Sequence, residues 1–436
     1  MADHDVFARM REEWNARARE DAGYYVAFGR RDQDDAGFFA TATGVINNLE
    51  ATLRRVPARE RAGWRALEIG CGPGRLMRPM SRHFAEIHGV DVSDEMVALA
   101  REKLRDIPNA FPQLGDGARL TMFADESIDF VYSYAVFQHI PSREVVVEYW
   151  REIQRVLKPG GWARLQINGL PRSGGEEYTT WSGARFTAQE VLEFTRARDL
   201  QVLALEGAST QYMWTTWRKR PAGWQAAQEA RPFAPDAVSI RRITNASSSE
   251  PVAPSRGRFA SISLWVERLP EEAGLHHLRV TIGDALGTVI DVGPKDSAGL
   301  QQITVLLPEL ESTGLLPVEL RWLEAPIARP ARLRVIPPGP LVPRIASVTD
   351  GVNLVSVQRI ETRYAKITLE EIARPEEIEA WIAGRPVVGL EYFCVDPRPQ
   401  KYEVNFQLPE DLGPGSYPLE IRVGRRRLAP VTVQVV

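Results

Sequence analysis

The chain has 436 residues, too many for one ordinary hydrophobic core, so two or three domains are expected. Hydrophobic residues at 44% and charged residues at 25% exclude a disordered or fibrous protein. A formal net charge of −3 excludes a general electrostatic affinity for nucleic acid or an anionic membrane. No apolar run reaches bilayer-spanning length, and the charged N-terminus lacks a secretory core. Cys71 and Cys394 match no zinc or redox spacing, and the reading is a cytoplasmic protein without disulfides.

Up to about residue 235, short apolar runs alternate with helical periodicity. "WRALEI" (64–69) reads as a strand and "RLMRPMSRHF" (75–84) as a helix. "AEIHGVDV" (85–92) is a second strand, and "DEMVALAREKLRD" (94–106) a helix. "SIDFVYSYAVF" (127–137) is a strand running into a loop, "SREVVVEYWREIQRVL" (142–157) a helix, and "WARLQIN" (162–168) a strand. Ser93 and Ser142 are N-cap candidates, and "KPGG" (158–161) stops the long helix. A helix in "FTAQEVLEFTRARDL" (186–200) and strands "QVLALE" (201–206) and "TQYMWTTWR" (210–218) follow. Such alternation predicts a mostly parallel, doubly wound α/β sheet.

Residues 237–436 instead carry alternating segments such as "RFASISLWVE", "HHLRVTIG", "YAKITLEEI" and "YPLEIRVG", an all-β signature. An internal repeat is visible: Leu-Pro-Glu recurs at 307–309 and 408–410, and Pro317 answers Pro418. "SIRRITN" (239–245) likewise answers "RIASVTD" (344–350). The expected domains are 1–235, 236–340 and 341–436, the last two being β-sandwiches that resemble bacterial immunoglobulin-like modules. Their strand edges make a homo-oligomer plausible.

The chemistry centres on "ALEIGCGPGRL" (66–76), where a strand hands over to a helix. Glu68 precedes Gly70, Gly72 and Gly74, and G-x-G-x-G departs from the G-x-G-x-x-G of dinucleotide sites. A carboxylate so placed suits a ligand with positive charge and no phosphate. These residues resemble motif I of the class I S-adenosylmethionine-dependent methyltransferases of the small-molecule type. The resemblance continues in order through "GVDVS" (89–93), "GDGARL" (115–120), "SIDFVYSYAVFQHIP" (127–141) and "LKPGGWARLQI" (157–167), over roughly the first 218 residues.

The resemblance implies a Rossmann-like fold, S-adenosyl-L-methionine as cofactor, and roles for particular residues. Gly70, Cys71, Gly72 and Gly74 pass the methionine part, with Cys71 a small packed residue and Glu68 adding negative potential. Asp91 takes both ribose hydroxyls, and Val92 and Met96 pack on adenine. Asp116, Gly117 and Ala118 meet its edge, while Tyr134 and Ala135 stand where cofactor and acceptor meet. The N-terminal "EEWNARAREDAGYYVAFG" resembles a helical lid, in which Tyr24 and Tyr25, ahead of Trp14, either cover the cofactor or dock the helix.

Arg75 reads as a helix-opening residue. His139 is the candidate base, weighed against a packing role in its loop. Trp181, Arg185, Gln166, Tyr212 and Trp214 are candidates to line a pocket for a small-molecule or glycan acceptor. No His set has metal-ligand spacing, so no metal is expected. The competing readings are an inactive methyltransferase-fold scaffold and, less favoured, an NAD-dependent oxidoreductase.

Overall fold

A computed structural model describes residues 2–27, 34–172, 177–351, 357–396 and 399–436. Residues 28–29 of the N-terminal stretch read above, and 173–176 shortly before Trp181, lie outside the described residues. The chain forms two compact units, one running to Ala22 and from Ala42 to Pro337, the other comprising Gly23–Thr41 and Pro338–Val436. Among the described residues no helix is long and apolar enough to cross a membrane.

The helices are α1 Ala2–Ala27, α2 Asp35–Ala40, α3 Thr43–Leu53, α4 Ala58–Arg61, α5 Met77–Met80, α6 Asp94–Lys103, α7 Arg143–Val156, α8 Ala188–Arg196 and α9 Trp224–Glu229. The first seven strands are β1 Arg65–Ile69, β2 Glu86–Asp91, β3 Ala110–Leu114, β4 Ile128–Ser133, β5 Leu157–Ile167, β6 Leu200–Glu206 and β7 Met213–Lys219. They lie in the order β3-β2-β1-β4-β5-β7-β6. β3, β2, β1, β4 and β5 pair in parallel, and β7 is antiparallel to both β5 and β6. β1 and β4 are buried at every position but Arg65 and Asp129, as befits central strands of a parallel sheet covered on both faces.

Local chemistry sets the helix ends. Ser93 Oγ accepts from Met96 N at 3.1 Å, Ser142 Oγ from Val145 N at 3.2 Å, and Thr187 with Glu190 closes a capping box on α8. The helix expected over 75–84 shrinks to α5 and a following 3-10 turn, because the glycine turn runs on to Leu76. "KPGG" ends α7 as expected, yet it belongs to β5. Leu157 pairs with Ile128, and Lys158 Nζ holds Asp129 at 2.8 Å.

In the first unit, β8 Ser239–Asn245, β9 Val252–Pro254, β10 Ser261–Glu267, β11 Leu278–Ile282, β12 Ala285–Lys295, β13 Gln301–Leu306, β14 Gly314–Trp322, β15 Ala325–Pro326 and β16 Ala331–Ile336 follow. This β-rich part is continuous with the α/β part. Asp291 on β12 pairs with Ala204 on β6, Arg55 Nη2 holds the Asp291 carboxylate at 2.7 Å, and Trp322 Nε1–H donates to Gln228 O. The second unit holds β17 Arg344–Asp350, β18 Arg359–Ile360, β19 Tyr364–Glu370, β20 Ile378–Ile382, β21 Arg385–Pro386, β22 Glu391–Asp396, β23 Lys401–Gln407, β24 Gly415–Val423, β25 Arg426–Arg427 and β26 Val431–Val435. Its sheets are β17-β19-β23-β22 and β18-β26-β24-β20-β21, with β25 paired to β24.

Trp150 anchors the α/β core at 1% exposure, with Phe186, Phe194 and Trp217 rings 4.7–5.9 Å from its own. Trp150→Ala therefore costs about 3–5 kcal/mol of folding stability, read as a lowered midpoint in denaturant titration.

Candidate active site

The strand order reverses between β1 and β4, so a crevice opens beyond their carboxyl ends. β1 ends at Ile69 and enters the glycine turn, whose three glycines all have positive φ (69°, 49° and 83°). A Cβ on Gly70 would stand 2.2 Å from Val136 Cγ2, and one on Gly74 would stand 2.7 Å from Leu104 Cδ1. These two glycines are thus demanded by backbone conformation and by neighbouring side chains.

Four amide groups of the turn are engaged within the protein. Gly70 and Cys71 N–H both donate to Val90 O, at 2.7 and 3.0 Å, and Gly74 N–H to Cys71 O at 3.0 Å. Gly72 N–H donates to Asp91 Oδ2 at 2.8 Å. A pyrophosphate needs free amides at this turn; here the turn instead fixes a carboxylate.

Asp91 ends β2. Its Oδ1 accepts from Ser93 N at 3.0 Å, and the Val92 N–H adds a further backbone contact, so the carboxylate is oriented entirely by backbone donors. Burial raises its pKa against the pull of those N–H groups. A carboxylate oriented in this way fits a pair of vicinal hydroxyls. Met96 is buried at the start of α6, and Val92 is half-buried. Asp116 Oδ1 accepts from Ala118 N and Arg119 N at 2.9 and 2.7 Å, closing its own turn. Gly117, at φ 103°, faces the Phe7 ring and Val92.

Glu68 departs from the expected source of negative potential. It is 3% exposed, and its Oε2 accepts from the Tyr132 hydroxyl at 2.8 Å. Burial pushes its carboxyl up to about 8, so at neutral pH it is mostly protonated. Arg75, read as a helix opener, is buried before α5 begins, with its guanidinium 5.7 Å from the centre of the Tyr134 ring. Tyr134 stacks on Trp214 at 5.6 Å and on Tyr212 at 6.3 Å, and Arg164 covers Trp214 at 4.8 Å. Ala135, at φ 57°, donates its N–H to Gln166 Oε1 at 2.8 Å.

His139 is buried. Its Nδ1 lies 3.0 Å from Thr180 O, which assigns the proton to Nδ1, and its Nε2 lies 3.3 Å from Gln138 Nε2. Burial lowers its pKa to about 4, so the ring is neutral at pH 7 and its lone pair faces the Gln138 amide. Trp14 meets it edge-on at 5.5 Å, and Trp181 lies tilted to it at 5.9 Å. Arg17 stands 4.7 Å from Trp14 and 5.6 Å from Trp181, and bonds Thr180 Oγ1 at 2.8 Å. Arg185 Nη1 reaches Pro171 O.

Arg17 and two further residues of α1 escaped the sequence reading. Arg11 donates to Val92 O at 3.1 Å and Gly115 O at 3.3 Å, and Asn15 Oδ1 accepts from Ser93 Oγ at 2.6 Å. Tyr24 and Tyr25 belong to the second unit, where their rings meet edge to face at 5.1 Å. Among the described residues no three His, Cys, Asp or Glu side chains gather as a metal site.

A parallel sheet that reverses order beside a carboxylate-held glycine turn defines a Rossmann-like domain for a nucleoside-bearing cofactor. A family model described as a methyltransferase domain matches residues 67–165. The chain is 31% identical over 163 residues to a ubiquinone biosynthesis O-methyltransferase of Burkholderia vietnamiensis, covering 34% of this chain and 68% of that protein. It is 34% identical over 117 residues to a trans-aconitate 2-methyltransferase of Variovorax paradoxus, covering 26% and 42%. It is 32% identical over 111 residues to phosphoethanolamine N-methyltransferase 2 of Caenorhabditis elegans, covering 25% and 25%. The chain thus spans less than half the length of the last two relatives. A solved structure of Haemonchus contortus phosphoethanolamine N-methyltransferase 1, with phosphoethanolamine and S-adenosylhomocysteine, aligns over 53% of this chain and 57% of its own. Its identity is 14% and its TM-score 0.38.

The chain belongs to the class I S-adenosylmethionine-dependent methyltransferases, whose cofactor is S-adenosylmethionine. The Asp91 carboxylate held by backbone donors, with the Gly70, Cys71, Gly72 and Gly74 amides engaged within the protein, fits that cofactor.

Asp91→Ala removes the hydroxyl acceptor and is expected to weaken S-adenosylhomocysteine binding by about tenfold or more in calorimetric titration. For Glu68 the folded-state pKa lies above the ordinary carboxyl value of 4.5, so its contribution is fully present below that value and is lost as pH rises towards about 8. Glu68→Gln keeps an acceptor for Tyr132, and its thermal midpoint is expected to gain on the wild type steadily from pH 5 to pH 8.

Proposed function

We propose that this chain is an enzyme that transfers a methyl group from S-adenosylmethionine to an oxygen or nitrogen of a small-molecule or glycan acceptor. The observation that carries this reading is the Asp91 carboxylate, held at the end of β2 by Gly72 N–H and Ser93 N–H. Asp91 would hold the ribose, with Val92 and Met96 beside the base and Asp116 to Ala118 at its edge. The cofactor, when bound, supplies an electrophilic methyl group for in-line displacement.

The residues around Tyr134 orient the acceptor. Tyr134, Tyr212 and Trp214 make a stacked aromatic wall flanked by Arg75 and Arg164, suited to a planar or sugar-like molecule. Trp14 and Trp181 exclude water on the His139 side. His139 holds its ring in one tautomer through Thr180 and serves positioning, with its lone pair on Gln138. An acceptor that is already nucleophilic, a neutral amine or a carboxylate, needs no base and fits this arrangement. The immunoglobulin-like β-rich parts serve assembly or acceptor presentation, and two free cysteines fit the cytoplasm.

A second reading, a fold retained for binding alone, draws on the same buried His139. Incubation with methyl-labelled cofactor and fractionated small-molecule and glycan extracts separates the two. Label on an acceptor supports methyl transfer, and cofactor binding without any transfer supports the scaffold. With the acceptor in hand, kcat is expected to show no inflection between pH 5.5 and 8, and His139→Asn to retain kcat within about tenfold. A histidine titration near pH 6.5 that the variant abolishes would contradict the positioning role.

A further inference from the structure

The internal repeat offers two copies of one scaffold whose outer surfaces differ in chemistry. β11 and β14 of the first copy pair as Thr281 with Glu319 and Arg279 with Arg321. β20 and β24 of the second pair in the same register, as Trp381 with Glu420 and Glu379 with Arg422. The short strand after the next turn also matches, with Arg321 opposite Pro326 in the first copy and Arg422 opposite Arg427 in the second. Where the first copy reads Glu324-Ala325-Pro326, the second reads Arg425-Arg426-Arg427. The fold therefore requires none of Trp381, Arg425 or Arg427, because Thr281, Glu324 and Pro326 serve the same positions.

These substitutions gather on one face. The inward residues of β20 and β24, Ala380, Ile382, Leu419 and Ile421, are buried, whereas Trp381 and Arg422 are half-buried on the outer side. There a cavity of about 530 Å³ is lined by Trp381, Glu420, Arg422, Arg427, Leu428 and Pro430. The Arg422 guanidinium stands 5.4 Å from the Trp381 ring and is paired with Glu379. Arg425 and Arg427 are exposed and make no ion pair among the described residues. Arg422 opposite Arg427 places two guanidinium groups side by side, and only Arg422 has a carboxylate partner among the described residues, so Arg427 presents an uncompensated positive charge at the rim of the cavity.

We propose that this outer face of the second sandwich binds an acidic saccharide. A pyranose ring packs its C–H face on the Trp381 indole, its carboxylate lies between Arg422 and Arg427, and its hydroxyls donate to Glu420. Planar guanidinium and carboxylate groups around one aromatic platform match the hydroxyl-and-carboxylate pattern of a uronate. A polyphosphate strand is disfavoured by Glu420 and Glu379 on the same face, and by acidic and basic residues that nearly cancel over 338–436. The site is independent of the methyl-transfer reading.

The test is calorimetric titration of the full chain with galacturonate oligomers, with maltohexaose and oligothymidylate as comparators. The galacturonate oligomer is expected to bind about tenfold or more tighter than either comparator, and to weaken as salt is raised. Trp381→Thr and Arg427→Pro, which install the residues of the first copy, are each expected to weaken it by about tenfold with an unchanged thermal midpoint. No galacturonate binding, equal affinity for oligothymidylate, or undiminished binding by folded Trp381→Thr would each overturn the proposal.

Discussion

The carboxylate of Asp91 is the point on which the first unit turns. One oxygen takes the amide of Gly72 and the other the amide of Ser93, so a single side chain ties the glycine turn after β1 to the start of α6. Ser93 in turn caps α6 through Met96 N and reaches Asn15 on α1. Three segments far apart in sequence converge there because backbone donors at the turn and at the helix start both need an acceptor. The anchored carboxylate is oriented before any ligand arrives, which lowers the cost of binding one.

Charge around this point is distributed by burial more than by formal count. Glu68 sits one strand away, yet the Tyr132 hydroxyl and the apolar walls leave it mostly protonated near neutrality. His139 is held neutral by the same effect of opposite sign. Positive charge comes from Arg75, which faces the Tyr134 ring, and from Arg164, which covers Trp214. One fixed carboxylate, two buried guanidinium groups and a stacked aromatic wall thus stand together at the ends of these strands.

Much of this was legible in the chain. The G-x-G-x-G turn, the acidic end of β2 and the Ser93 and Ser142 caps are local signals, and each carries its own physical reason. The repeat was legible because Leu-Pro-Glu and the strand spacing recur together, and equivalent strands pair in equivalent register. The third strand was not, since Pro112 interrupts any alternating pattern in Ala110–Leu114 and its place is set by pairing with β2. Nor were Arg11, Asn15 and Arg75, whose roles come from partners some 60 to 100 positions away or from burial decided by tertiary packing. "KPGG" marked the end of α7 but not the strand it begins, because the ion pair of Lys158 with Asp129 is a contact between elements.

The α/β and first β-rich parts share one unit through the Asp291–Ala204 pairing and the hold of Arg55 on Asp291, so the site rests on a scaffold larger than its family domain. A crystal structure of the protein with S-adenosylhomocysteine tests the account most directly. The account predicts both ribose hydroxyls within hydrogen-bond distance of the Asp91 carboxylate, with the thioether end beside residues 70–74 and Tyr134. A ligand bound elsewhere, or a crevice at Asp91 closed by side chains under saturating ligand, would contradict it.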